Sequence, residues 1–148
     1  MIKQKRGKNG QFIPKFPEKY IGKYPIQMRS TWERRFARWL DKNPNVIEWS
    51  SESIAIPYYN PVYKKTKRYF PDFFMRMKNV EGDVKSFIVE IKPLKETRIP
   101  ERGLKKAKTR IYEERTYLVN AAKWKAADIF CKKMGFEFKV ITERELFE

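Results

Sequence analysis

Apolar residues recur at helical spacing from Ser30 to Lys42, where Trp32, Phe36, Trp39 and Leu40 form one face and Arg34, Arg35 and Arg38 point elsewhere. Asn43-Pro44-Asn45 ends that helix. The period then shortens: Val46 to Trp49 and Ser53 to Ile56 read as short strands, followed by a loop around Pro57 and Pro61. Arg68 to Met77 reads as an aromatic-rich strand and Ser86 to Lys92 as its antiparallel partner, because Asn79-Val-Glu-Gly82-Asp83 between them has turn chemistry. Residues 94–114 are charged and irregular and read as a mobile or partly helical basic loop. Thr116 to Met134 is a long Ala-rich helix with Gly135 as its C′ residue. Glu137 to Ile141 alternates as a last strand, and Thr142 with Glu145 makes a capping box for a short terminal helix. This order predicts an α/β (α+β) fold, a small mixed central sheet flanked by helices. One domain spans 30–148, preceded by a basic arm over 1–29.

The arm holds Lys3, Lys5, Arg6, Lys8, Lys15, Lys19, Lys23 and Arg29 against the single acid Glu18, with Gly and Pro throughout. It reads either as a solvated tail or as a phosphate-contacting arm. Phe12, Phe16, Tyr20 and Tyr24 recur every fourth residue, so part of it is expected to pack on the domain.

Composition narrows the chemistry. Aromatics at 16% argue for a packed core, and no apolar run approaches the roughly 20 residues needed to cross a bilayer. No secretory signal pattern stands at the N-terminus, and the one cysteine, Cys131, suits a reducing compartment and reads as a small buried apolar residue. The chain has no histidine, which excludes a Ser-His-Asp triad and the common His-rich zinc sites. The net charge of +16 favours a polyanionic partner, nucleic acid above all.

Against that background the charges inside apolar strands stand out. Phe87-Ile-Val-Glu-Ile-Lys-Pro93 is apolar enough for a central strand yet carries Glu90 and Lys92. Burying ions without partners is costly, so such a pair asks for a metal, a phosphate or an ion pair. Strand alternation puts Glu90 and Lys92 on one face, with Val89 and Ile91 on the other. Asp72 lies on the expected partner strand, where Pro71 cannot donate a ladder hydrogen bond and marks an edge or bulge. Two carboxylates form an oxygen-only site suited to Mg²⁺, with Mn²⁺ able to substitute. An exposed Glu90–Lys92 pair on a sheet edge is the plainer alternative. Glu33 fits a capping box with Ser30, bonding the Ser30 amide. Asn120, Lys123 and Trp124 on the long helix could face the site or be explained by solvation and packing. The four tryptophans read as core, and Tyr58, Tyr59 and Tyr63 as candidates for base stacking.

These strings, with their flanks, resemble the head completion nucleases of T-even type tailed phages, within the PD-(D/E)XK superfamily. The resemblance rests on Arg29-Ser-Thr-Trp-Glu-Arg-Arg-Phe36, Asn43-Pro-Asn-Val-Ile-Glu-Trp49, Tyr69-Phe-Pro-Asp-Phe73, Val89-Glu-Ile-Lys-Pro93, Asn120-Ala-Ala-Lys-Trp-Lys-Ala-Ala127 and the segment Phe136 to Phe147. It covers nearly all the chain beyond residue 11. It implies a restriction-endonuclease-like core, with Glu33 as the helix acid, Asp72 and Glu90 as metal ligands joined by Glu33, and Lys92 as the catalytic lysine.

The resemblance further implies a Mg²⁺-dependent endodeoxyribonuclease acting on packaged viral DNA, completing the filled head before tail joining. Its setting would be the host cytoplasm during assembly, with phage portal or neck proteins as partners, and the virion head or neck as a further location. The basic arm and the 94–115 loop would track phosphates. A single site cuts one strand, so a double-strand break calls for a homodimer on DNA or two successive nicks. Two other readings stay open: a structural, connector-binding head-completion protein with a secondary or vestigial site, and a site-specific endonuclease of the TnsA or Vsr kind.

Overall fold

The computed structural model describes residues 10–147 apart from Arg102 and Leu104. Lys3, Lys5, Arg6 and Lys8 of the expected arm lie outside the described residues. The described elements are β1 (Gln11–Phe12), β2 (Ile26–Gln27), α1 (Thr31–Lys42), β3 (Val46–Ser51), β4 (Ile56–Asn60), β5 (Lys65–Tyr69), β6 (Phe73–Lys78), β7 (Val84–Ile91), α2 (Ala107–Met134), β8 (Glu137–Ile141) and α3 (Glu143–Leu146). The architecture is α+β. A central sheet of order β3-β6-β7-β8 is antiparallel except for the parallel β7–β8 pair, which makes it mixed, with helices against it.

β7 divides the core by alternation. Phe87, Val89 and Ile91 point to a cluster with Phe36, Ala37 and Leu40 of α1, Trp49, and Phe12, Tyr20, Ile26 and Met28. Ile88 points the other way, to Ala127 and Cys131 of α2 and to Ile56, Tyr58 and Tyr69 of the β4–β5 hairpin. β7 is therefore apolar on both faces, as a sheet covered on both sides requires.

Several boundaries differ from the sequence reading. The strand expected over Arg68 to Met77 is two strands, β5 and β6, broken at Phe70-Pro71-Asp72. The stretch expected as a loop around Pro57 is β4, paired antiparallel with β5. The long helix begins at Ala107, so the latter part of the expected basic loop is helical, and the loop's start is a 3₁₀ turn over Leu94–Thr97. Gly135 ends α2 in the left-handed region at φ 77°, as a C′ glycine does. The Thr142–Glu145 capping box forms as expected.

From residue 10 onward, the segment read as an arm is bound into the domain. Phe12 and Tyr20 are buried, whereas Phe16 and Tyr24, expected to share their packing, are exposed. Lys19 does not point at solvent: its Nζ donates to the carbonyls of Leu40, Asp41 and Asn43 at 2.8–2.9 Å, closing the C-terminus of α1. Asp41, 3% exposed, accepts from the amides of Lys15 (2.8 Å) and Phe16 (3.0 Å). Trp39, expected on the buried face, instead stacks on Phe36 from outside and is exposed.

Asp41 thus pins the N-terminal segment to α1, and its loss leaves two backbone donors unpaired. Asp41→Ala is expected to lower unfolding stability by about 2–4 kcal/mol in urea titration.

Candidate active site

The break at Phe70-Pro71-Asp72 positions the first carboxylate. Pro71 is buried and has no N–H, so the ladder between β6 and β7 ends beside it. Phe73 pairs with Val89, which sets Asp72 level with Glu90 at the end of the two middle strands. Asp72 is held twice: its carbonyl accepts from Glu52 N at 3.1 Å, and its Oδ2 accepts from Ile91 N at 2.8 Å. A neighbouring strand's amide thereby aims its side chain at Glu90.

Glu90 is 8% exposed, on the α2 face of β7, and its Oε1 accepts from the Tyr69 hydroxyl at 2.7 Å. Lys92 follows two positions later on the same face, its amide bonded to Ile141 O at 3.0 Å and its ammonium 4.0 Å from Glu96. Lys123 reaches in from α2, its ammonium 5.5 Å from the centre of the Tyr69 ring and 5.9 Å from that of Tyr58.

The electrostatics follow from crowding two carboxylates in a buried corner. Burial first, then the charge of Glu90, pushes the Asp72 carboxyl up to about 8, against the pull of the Ile91 amide. The negative charge of Glu33 pushes the same way, and Lys92 opposes it. Burial raises Glu90 as well, countered by the Tyr69 hydroxyl, Lys92 and Lys123. Burial and the Glu90 charge raise the Tyr69 phenol, so it stays a donor. Burial lowers Lys123, which Glu90 partly restores.

Of the expected site residues, the fold brings Asp72, Glu90 and Lys92 together. Glu33 is near enough for its charge to act on Asp72. The Ser30 side chain caps α1 by accepting from Glu33 N, but the Glu33 carboxylate bonds Arg29 N at 3.0 Å rather than the Ser30 amide expected of a capping box. Among the described residues, no group of three or more Cys, Asp or Glu stands close enough to hold a metal ion together. Of the weaker candidates, Lys123 faces the site, Asn120 is buried, and Trp124 packs in the cluster beneath Tyr69. Sequence reading missed Tyr69. It sits at the end of an alternating strand, and only the pairing of that strand with β4 turns its hydroxyl to Glu90.

The family model described as TnsA-like endonuclease N terminal matches residues 43–143, a span that runs from the end of α1 through Asp72, Glu90, Lys92 and α2. The head completion nuclease of Enterobacteria phage T4 is 41% identical over 140 residues, covering 91% of each chain. The chain belongs to the head completion nuclease family. Its fold is accordingly of the restriction-endonuclease-like kind. No solved structure matches it. Among the described residues, no helix of this family member is long and apolar enough to cross a membrane.

The raised carboxyls carry a stability consequence. A carboxyl that titrates higher in the folded chain than in the unfolded one makes the folded state bind more protons between the two values. Stability contributed by protonated Asp72 is therefore present at low pH and lost as pH rises from about 4 to the folded value of about 8. Glu90, Glu33 and Lys92 face it, the first two sharpening the loss and Lys92 softening it. Metal-free Asp72→Asn is expected to melt well above wild type at pH 8 and close to it only near pH 4, by differential scanning calorimetry.

Proposed function

We propose that the chain is a Mg²⁺-dependent DNA endonuclease whose site is Asp72, Glu90 and Lys92, acting on packaged viral DNA in head completion before tail joining. The observation that carries this reading is the Asp72–Glu90 pair, Glu90 buried and Asp72 half-buried. Two carboxylates set level on the middle strands, held by neutral hydrogen-bond donors and both pushed towards protonation by burial, favour a further cation beside them when both are ionised. The donors are all oxygen, which suits a hard ion such as Mg²⁺, or Mn²⁺ in its place. The T4 relative's description as a head completion nuclease supports the biological role.

Asp72 and Glu90 would hold the ion, which when bound supplies Lewis-acid polarisation of a phosphoryl oxygen and a more acidic attacking water. The protein's own groups do the rest. Tyr69 fixes the Glu90 rotamer through its donated hydrogen bond, and the Ile91 amide fixes Asp72, so neither carboxylate reorganises as the reaction proceeds. Lys92, on the same face as Glu90, stabilises the negative charge that grows on the phosphate. Lys123 adds a second cation behind the pair. Glu33 at the start of α1 is retained as an acid at the rim, acting through its charge on Asp72. DNA with little sequence preference is the substrate, and cutting both strands would take a dimer on DNA or two nicks. Assembly in the host cytoplasm, with portal or neck proteins as partners, completes the reading.

Supercoiled plasmid incubated with protein in Mg²⁺ or in EDTA tests the site. Nicking in Mg²⁺ alone, falling at least about 100-fold in Lys92→Ala and in Asp72→Asn, is expected. Undiminished nicking by both variants would remove the site.

A further inference from the structure

The β4–β5 hairpin feeds directly into the site, and the nuclease chemistry leaves its surface unexplained. Residues 56–70 hold Lys64, Lys65, Lys67 and Arg68 and no Asp or Glu. None of these cations is in a salt bridge among the described residues. Tyr58, expected as a base-stacking candidate, is buried against α2; Tyr59 and Tyr63 are 59% and 65% exposed.

The hairpin is built to present these groups rigidly. Ile56, Tyr58 and Asn60 point inward, and the register Pro57↔Arg68 and Tyr59↔Thr66 turns Arg68 and Tyr59 outward together. At the tip, Asn60 Oδ1 accepts from the amides of Val62 (2.9 Å) and Tyr63 (3.0 Å), and Lys64 N bonds Asn60 O at 2.8 Å with Lys64 at φ 56°. The Lys67 ammonium lies 4.5 Å from the centre of the Tyr63 ring, and the Arg68 guanidinium 5.5 Å from that of Phe70. β5 pairs only with β4, so among the described residues its other edge is open.

We infer that the tip and free edge of this hairpin, Tyr63 to Arg68 with Tyr59, form a DNA-backbone contact that lays one strand's phosphates along β5 and leads them to Asp72 and Glu90. The inference rests on the nuclease reading and adds where its substrate lies. Lys65 to Tyr69 spans about 13 Å at strand rise, the axial run of about four successive phosphates on one strand. Tyr69 ends that run with its hydroxyl on Glu90. Lysines on an open edge also guard against strand-to-strand aggregation, which is the plainer explanation. That explanation accounts for the charge, but not for two exposed tyrosines and two cations seated over rings.

The test uses the full chain in EDTA, so that no cleavage occurs, with a fluorescein-labelled duplex and anisotropy at 50–200 mM salt. The variant Lys64→Gln, Lys65→Gln, Lys67→Gln, Arg68→Gln is expected to reduce the slope of log affinity on log salt by about 3.6. Single Lys65→Gln and Arg68→Gln variants, which spare the fold, should each reduce it by about 0.9. Lys78→Gln, Lys85→Gln at the far end of the β6–β7 hairpin should leave it unchanged. A slope unchanged in the hairpin variants, with or without aggregation, overturns the inference. Metal-dependent plasmid nicking by wild type separates the two readings. Nicking with an unchanged slope refutes the contact alone, whereas a reduced slope without nicking supports the contact and refutes the nuclease reading.

Discussion

Everything at this site depends on holding two like charges level with one another in a buried corner of the sheet. The register that pairs Phe73 with Val89 puts Asp72 beside Glu90, and the fold then gives them neutral donors, the Ile91 amide to Asp72 and the Tyr69 hydroxyl to Glu90. Neither donor cancels a charge, so both carboxylates are pushed towards protonation. A core built only for stability would fill these positions with apolar side chains. The surrounding structure serves the pair: Pro71 ends the ladder, β4 turns Tyr69 inward, and α2 backs the hairpin and brings Lys123 over the ring.

Much of this was legible in the residues. The α1 face, the β6–β7 hairpin, the Gly135 stop and the terminal capping box follow from periodicity and turn chemistry, which are local signals. The shared face of Glu90 and Lys92 followed from alternation alone. What was not legible depends on pairing between distant segments. The Arg68 to Met77 run is aromatic-rich on both sides of Pro71-Asp72, and while Pro71 marks an edge or bulge, nothing local shows that the two halves belong to different sheets. Tyr58 and Tyr59 are chemically alike, and only packing against α2 decides which is buried. Glu33 carries the capping pattern, but its side chain turned to the Arg29 amide, a choice set by how the preceding segment enters α1. Lys19 looked like one more arm cation and instead caps the C-terminus of α1, on carbonyls 21 to 24 residues further along.

The charge is distributed by use. Lys19 is spent on backbone carbonyls, Lys92 and Lys123 sit with the carboxylates, and among the described residues the cations of the β4–β5 hairpin make no salt bridge on a surface that runs into the site. A net charge of +16 by itself predicts only loose attraction to polyanions. A rigid, acid-free hairpin that ends at Tyr69 gives that attraction a direction.

The central claim, that Asp72 and Glu90 form a site for a divalent cation, is tested most directly by calorimetric titration of Mn²⁺ and Mg²⁺ into the protein. Two buffers of different ionisation enthalpy, near pH 7.5, separate metal binding from proton release. One ion bound per chain with release of protons, and loss of both in Asp72→Asn, is the predicted result. Binding unaltered by Asp72→Asn and by Glu90→Gln, or no binding by the folded wild-type chain, would contradict it.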